Sequence, residues 1–437
     1  MFLIYLPKIS TRCVYVFDLI FKQELGFEYS VTTDITAFKE YKEEKLNYSG
    51  AKTENEIFIK ASSLLFETEI KKQEIKIEEK DHTKFLFPNK DCDLGFDIFS
   101  AIFYMVSRYE EYLPFTPDEF GRYKAEDSLA FQNDFLHIPI VNTWINIFKN
   151  ELLKKLPDLK MRSPAFNAIV TYDIDVAYKY RGRNLVRTLG SALKDLAAFK
   201  INDIITRNKT LLKIKKDPWD VYDALKEIIL QNKLQSVFFF LLADKTEHDR
   251  NLNYKNPLMK KLINEIETFS EIGIHPSFNS STFPEKILIE KERLENLSGK
   301  KITKSRQHYL KFVLPDTYNS LLSSGITEDY SMGFPGKPGF RAGTSKPFYF
   351  YDLKNEKATN LKIFPVTCMD ATFIYYTKKS PEKSLMEILH LLKEIKKVEG
   401  TFICIFHNEH LGEGDESKKW KSVHDKMIMQ IKSYLKK

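Results

Sequence analysis

The sequence predicts an α/β protein in two parts, a smaller α/β domain over residues 1–160 and a βα barrel of parallel strands over residues 161–437. At 437 residues the chain is too long for one ordinary core and long enough for two. From about residue 163 onward, short apolar strands alternate with amphipathic helices, the rhythm of a parallel sheet. Six or so such units suggest a closed or nearly closed barrel.

Composition excludes several classes. Hydrophobic residues at 43% and charged residues at 29% are those of a globular chain, not a disordered or fibrous one. Aromatics at 14% suit stacking on carbohydrate, yet most Phe and Tyr fall inside strand and helix patterns and read as core. The net charge of +7, from 67 basic and 60 acidic residues spread along the chain, forms no basic stripe, so no nucleic-acid partner is expected. Cys13, Cys92, Cys368 and Cys404 are far apart with no C-x-x-C pair, which argues against a disulfide framework or a thiolate zinc site and for a reducing compartment.

The first residues, "MFLIYLPKISTRCVYVFDLIF", are broken by Pro7, Lys8 and Arg12 and read as a strand and a helix rather than a signal. The most apolar stretch, "IFSAIFYMV", lies between Asp97 and Arg108 and is far short of the roughly 20 residues of a membrane span. No membrane insertion and a cytoplasmic location are expected. Oligomeric state leaves no mark on the sequence.

In the first half, "EIFIKASSLLFE" reads as strand and "FDIFSAIFYMVSRYEEYLP" as a helix stopped by Pro114, with Arg108, Glu110 and Glu111 as surface charges. "VNTWINIFKNELLKKL" is a second helix, and "KKQEIKIEEKDHTK" an exposed hairpin or loop. In the second half, Asp217, Asn256 and Ser380 each precede a proline at a helix start, a cap followed by a residue with no amide to leave unpaired. Strands are expected at "FNAIVTY", "QSVFFFLLA", "EIGIH", "PGFRAG", "LKIFPVTCMD" and "GTFICIFH".

The carboxyl ends of those strands carry Asp173 and Asp175, then His275, Arg341, Asp370 and His407. In a parallel barrel all such ends open on one face, so residues hundreds of positions apart converge. A D-x-D after a strand can equally be an Asx-turn, and a single histidine there can be structural. Two strand-ending histidines in the same half as the D-x-D point instead to a site.

"TYDID", "EIGIHPSFN", "GFRAG", "MDATF" and "IFHNEH", in that order, resemble the five motifs of the NodB-homology polysaccharide deacetylases, carbohydrate esterase family 4, over roughly residues 163–437. The segment "SRYEEYLPFTPDEFGRY", followed by "FLHIPIVNTW", is similar to the amino-terminal domain that accompanies such deacetylases in Bacteroidetes-type bacteria. The resemblance implies a distorted NodB-like βα barrel. It implies that Asp173 is the general base, Asp175 and His275 metal ligands, Arg341 the brace of the base and His407 the general acid. Asn279 stands where the family has its second histidine ligand, and Asp370 falls near the fourth motif as a substrate-binding residue. Glu409 and His410 would supply a substrate contact or a replacement ligand.

The chemistry fits those roles. A divalent metal, Zn with Co or Mn as options, would lower the pKa of water to about 7 and polarise an acetyl carbonyl. A nearby carboxylate can take the water's proton, and an imidazole can give one to the leaving amine near pH 7. Pro276 could start a turn placing residues 275 and 279 on one face. A neutral Asn279 amide is a poorer zinc ligand than imidazole, which leaves a weaker site or a harder ion. The expected activity is removal of acetyl groups from N-acetylated sugars, O-acetylated ones being the lesser option, on a polysaccharide or its precursor. The alternatives are a non-catalytic glycan-binding protein and a D-x-D glycosyltransferase. A glycosyltransferase is disfavoured because no glycine-rich phosphate turn follows an early strand.

Overall fold

The computed structural model describes residues 2–54, 56–183 and 201–435. Four strands, β1 (Phe2–Tyr5), β2 (Tyr29–Thr32), β3 (Lys45–Ser49) and β4 (Ile57–Lys60), form a parallel sheet in the order β2-β1-β3-β4. The helix after β1, Thr11–Phe17, is capped by Ser10, whose hydroxyl accepts from Cys13 N. The lysine-rich stretch is an antiparallel hairpin of β5 (Ile77–Lys80) and β6 (Thr83–Leu86). "IFSAIFYMV" is a helix, Ile98–Val106, buried on every side and capped by Asp97. No described helix is long and apolar enough to cross a membrane.

That helix ends before Pro114. Arg108 turns the chain with φ +55°, and Tyr109–Tyr112 continue as a short 3₁₀ turn. The reversal carries Arg108, Glu110 and Glu111 inward, so the surface charges expected from the sequence are a buried ion network. Arg108 binds Glu110 and Glu111 at 2.7 Å each, and Arg341 from the second half binds Glu111 through two nitrogens at 2.6 and 2.9 Å. The apolar core likewise runs from the first half into the second without a break.

The second half contributes β7 (Asn167–Ile174), β8 (Gln235–Phe240), β9 (Glu271–Ile274), β10 (Lys304–Ser305), β11 (Glu328–Asp329), β12 (Phe348–Asp352), β13 (Lys357–Ile363), β14 (Cys368–Met369) and β15 (Thr401–His407). Their order is β12-β13-β11-β10-β9-β8-β7-β15-β14, and every pairing is parallel except β12 with β13. No ladder among the described residues closes the sheet between β13 and β14. The chain bridges the gap with single bonds, Phe364 N to Asp329 O, Val366 N to Met332 O and Thr367 N to Ile403 O.

Strand alternation sorts the core into two layers. Ile169, Val237, Phe239, Ile403 and Ile405 point inward and meet Tyr330, Phe364 and Val366 in one cluster. Val170, Tyr172, Phe238, Phe402 and Phe406 point outward into the main core. Asp173 continues the inward series of β7, His407 that of β15, and the two are register partners.

"PGFRAG" is a loop instead of a strand: Gly339 N and Phe340 N are committed to Thr367 O and Leu136 O, outside any ladder. Two of the three expected caps are present, Asn256 accepting from Leu258 N and Ser380 from Lys383 N, each with proline next. Asp217 does another task. Its carboxylate accepts from the amides of Lys179, Tyr180, Arg181 and Trp219, which fixes the loop after β7, and the nearby helix starts only at Tyr222.

Glu111→Ala would strip Arg341 of the carboxylate it binds and is expected to cost about 3–5 kcal/mol by urea denaturation. Arg341→Met should cost clearly less, because Glu111 keeps Arg108; equal losses would contradict this reading of the network.

Candidate active site

The carboxyl ends of the strands surround an open cavity of about 810 Å³. Asp175 is at its floor, immediately after β7, with three imidazoles turned toward it. His275 Nε2 is 3.2 Å from Asp175 Oδ1, His308 Nε2 is 3.4 Å from Oδ2, and His407 Nε2 is 3.7 Å from Oδ2.

Each ring is anchored by its other nitrogen. His275 Nδ1 lies 2.5 Å from the carbonyl of Arg306, which can only accept, so Nδ1 carries a proton and Nε2 is the nitrogen that faces Asp175. His308 Nδ1 meets Asp249 Oδ1 at 2.9 Å, and His407 Nδ1 meets Asp370 Oδ1 at 2.7 Å. A carbonyl or carboxylate acceptor at Nδ1 holds the ring in place and aims Nε2 into the cavity.

Charge follows geometry. Burial lowers the proton affinity of His308, but Asp175 and Asp249 outweigh it and lift its pKa to about 9. His407 is likewise depressed by burial and raised well above the usual range by Asp370 and Asp175. Burial favours the neutral form of Asp175, yet the same imidazoles hold it well below the usual carboxylate range. Acceptors that converge in this way require a cation between them, either protons or a metal.

Two groups of side chains have donor atoms close enough for one ion, Asp175/His275/His308 and Asp370/His407/His410, each within 4.8 Å. They are not equivalent. Asp370 is saturated, accepting from Ala371 N at 2.6 Å, His407 N at 2.8 Å, and His407 and His410 Nδ1 at 2.7 Å each. Asp175 Oδ1, by contrast, is buried with no hydrogen-bond partner. One carboxylate and two imidazoles, with room left on the cavity side, fit a catalytic divalent ion.

The base-like carboxylate beside this group is Asp173, buried and 3.2 Å from Arg306 Nη1. Arg306 is held in turn by Thr171 Oγ1 at 2.7 Å, by Tyr330 O at 2.9 Å and by the face of Phe239, 4.6 Å away. Gly273 makes room for that ring, since a Cβ there would come within 2.6 Å of it.

Asp173, Asp175, His275 and His407 thus meet at the mouth, as the strand-end argument requires. Arg341 does not join them. It pairs with Glu111, and the guanidinium at Asp173 belongs to Arg306. Asn279 also stays outside, because Ser277 is extended (φ −57°, ψ 161°) and the 3₁₀ turn starts only at Phe278, so residues 275 and 279 do not share a helical face. The second imidazole near Asp175 comes from His308. Asp370 lies behind His407, turned away from the cavity, whereas Glu409 and His410 line it. Sequence reasoning missed Arg306, His308 and Asp249. A faint signal existed in the R-x-H of "SRQHYL", alternate positions after a strand only two residues long.

A family of unknown function (DUF7033) matches residues 2–157. No curated protein matches. Among solved structures, a protein described as a polysaccharide deacetylase from Mycobacterium smegmatis is 15% identical over 61% of this chain and 87% of its own, with a TM-score of 0.40. A polysaccharide deacetylase from Bacillus cereus is 13% identical over 62% and 87%, with a TM-score of 0.30. Puue allantoinase is 11% identical over 62% and 85%, with a TM-score of 0.40. These are partial likenesses, and what the site can do rests on its own side chains.

Glu290 supports the segment after His275 by accepting from Ser277 N at 2.8 Å, and burial raises its pKa from 4.5 to about 7. The folded form therefore keeps a proton that the unfolded form releases, and this contribution to stability is lost as pH climbs from 4.5 through about 7. Glu290→Gln keeps an acceptor for Ser277 and should match the parent near pH 5, yet exceed it by up to ~3 kcal/mol near pH 8 in chemical denaturation. A difference independent of pH would contradict the assignment.

Proposed function

We propose that the protein is a metal-dependent deacetylase of N-acetylated sugars, with Asp175, His275 and His308 as metal ligands. The observation that carries this reading is the Asp175 carboxylate, one oxygen of which has no hydrogen-bond partner, bracketed by the Nε2 atoms of His275 and His308, whose Nδ1 atoms are anchored. The resemblance of the strand-end motifs to NodB-homology deacetylases supports the choice of acetyl transfer to water over other hydrolyses.

A divalent ion held there would supply Lewis acidity, activating water and polarising the acetyl carbonyl. The protein's own residues do the rest. Asp173, oriented by Arg306, accepts the proton of the attacking water. His407, with Nδ1 bound to Asp370 and Nε2 directed at the cavity, donates a proton to the departing amine. Tyr309, Tyr375 and Trp219 on the cavity wall offer faces for a sugar ring. Glu409 and His410 are placed to meet hydroxyl or amide groups of the substrate. Asp370 acts through His407 and is a positioning residue here.

Acetate release from chitooligosaccharides and other N-acetylated glycans, with zinc, cobalt or manganese, tests the activity directly. Asp175→Ala, His275→Ala and His308→Ala should lose bound zinc by elemental analysis, whereas Asn279→Ala should keep it. His407→Ala should retain zinc while kcat falls by about 10²–10⁴. Zinc retained in all three ligand variants would overturn the assignment. Glycan binding without acetate release under any of the three metals would replace the enzyme with a non-catalytic binder.

A further inference from the structure

In the half of the chain matched by a family of unknown function, the turn Asp118–Arg122 packs behind two residues of the cavity wall, Tyr309 and Tyr376. The turn is tied to itself, with Asp118 accepting from Arg122 N at 2.9 Å and from Arg122 Nε at 2.8 Å. Arg122 is 2% exposed and then crosses to the second half, where Nη1 donates to Tyr309 O at 2.8 Å and to Tyr376 Oη at 3.2 Å. Its guanidinium covers the ring of Phe120 at 4.7 Å. Phe120 sits against Tyr309, Phe278 and His248, at 5.3, 6.0 and 6.1 Å between ring centres.

The contacted segment is an unusual one. Tyr309 and Leu310 are consecutive non-glycine residues with φ +61° and +49°, a left-handed conformation that L side chains disfavour. It follows His308 directly. His308 N donates to Pro276 O at 3.1 Å, and beyond it the backbone is held locally by Leu310 N to Gln307 O and Lys311 N to His308 O, with no backbone bond from Tyr309 N among the described residues. Left alone, such a turn would relax, and His308 Nε2 would move with it. The inward carbonyl of Tyr309 also needs a donor, which Arg122 supplies.

We propose that Phe120 and Arg122 are positioning residues, and that the amino-terminal half completes the active site by clamping Tyr309 so that His308 faces Asp175. This gives the half a task within the site, and it rests on the metal reading above. Asp249 fixes one edge of the His308 ring, while the clamp fixes the backbone that carries the ring. Neither suffices alone, because a ring tethered at Nδ1 can still pivot if its Cα shifts.

Hydrogen exchange and zinc affinity of the full-length protein test the clamp. In Arg122→Ala and Phe120→Ala, exchange over residues 308–311 should speed up by about tenfold while β15 is unchanged. Zinc affinity, read by competition with a chromophoric chelator, should fall by about tenfold. Arg122→Lys keeps one donor and should lie nearer the parent in both. Unchanged exchange at 308–311 in both alanine variants overturns the proposal, and so does an equal rise in β15, which would make the turn a brace for the whole barrel. A parent protein that binds no zinc would defeat the metal reading alone, since exchange at 308–311 still decides the clamp. Should Arg122→Ala not fold, the same comparison on Phe120→Leu decides it.

Discussion

Buried negative charge at the carboxyl ends of the parallel strands is the constraint that organises the second half of this protein. Asp173, Asp249 and Asp370 are almost wholly inside, and Asp175 is partly so. Each carboxylate must find positive charge or donors, because an unpaired one costs several kcal/mol. Asp249 is supplied by Phe278 N, Thr246 and His308, and Asp370 by two amides and two imidazoles. Asp173 has Arg306. Asp175 alone keeps a buried oxygen without a donor, so the remaining demand for a cation is concentrated where three imidazole nitrogens already converge.

Topology decides which partners can arrive. Parallel strands deliver their ends to one rim, and pleat alternation delivers every second residue to the interior, so Asp173 and His407 meet as register partners although 234 positions separate them in number. β10 shows the same logic in miniature. Only Lys304 and Ser305 pair as strand, and the next inward positions are Arg306 and His308. One short segment thereby supplies both the guanidinium at the Asp173 carboxylate and an imidazole at Asp175. Gly273 on β9 contributes by absence, since the space it leaves admits the Phe239 ring that backs Arg306.

Long apolar strands and their ends were legible in the sequence. "FNAIVTY", "QSVFFFLLA", "EIGIH" and "GTFICIFH" became β7, β8, β9 and β15, and four of the residues at their ends gather in the cavity. What escaped was polar or local. β10 and β11 are two residues each, too short for any periodicity, and they lie where Arg306 and His308 enter. "GFRAG" and "SRYEEY" misled for a shared reason. Arg341 and the Arg108/Glu110/Glu111 group look like site and surface residues when read separately, and only their mutual burial turns them into a structural ion network joining the halves. Asn279 misled because a proline after His275 suggests a turn, whereas the chain stays extended through Ser277.

The three imidazoles around Asp175 differ in ways that divide binding from proton transfer. His275 and His308 approach to 3.2 and 3.4 Å, from adjacent strands β9 and β10, and bracket the two oxygens of the carboxylate. His407 stands farther off at 3.7 Å, on the opposite side through β15, and its anchoring carboxylate is shared with His410. A cation held at Asp175 would let His308 give up its Nε2 proton and serve as a ligand, because the charge that holds that proton would then be satisfied. Asp370 is unaffected by such a cation and continues to sustain positive charge on His407. The ring that keeps its proton is therefore His407, which in the proposed reaction faces the leaving amine.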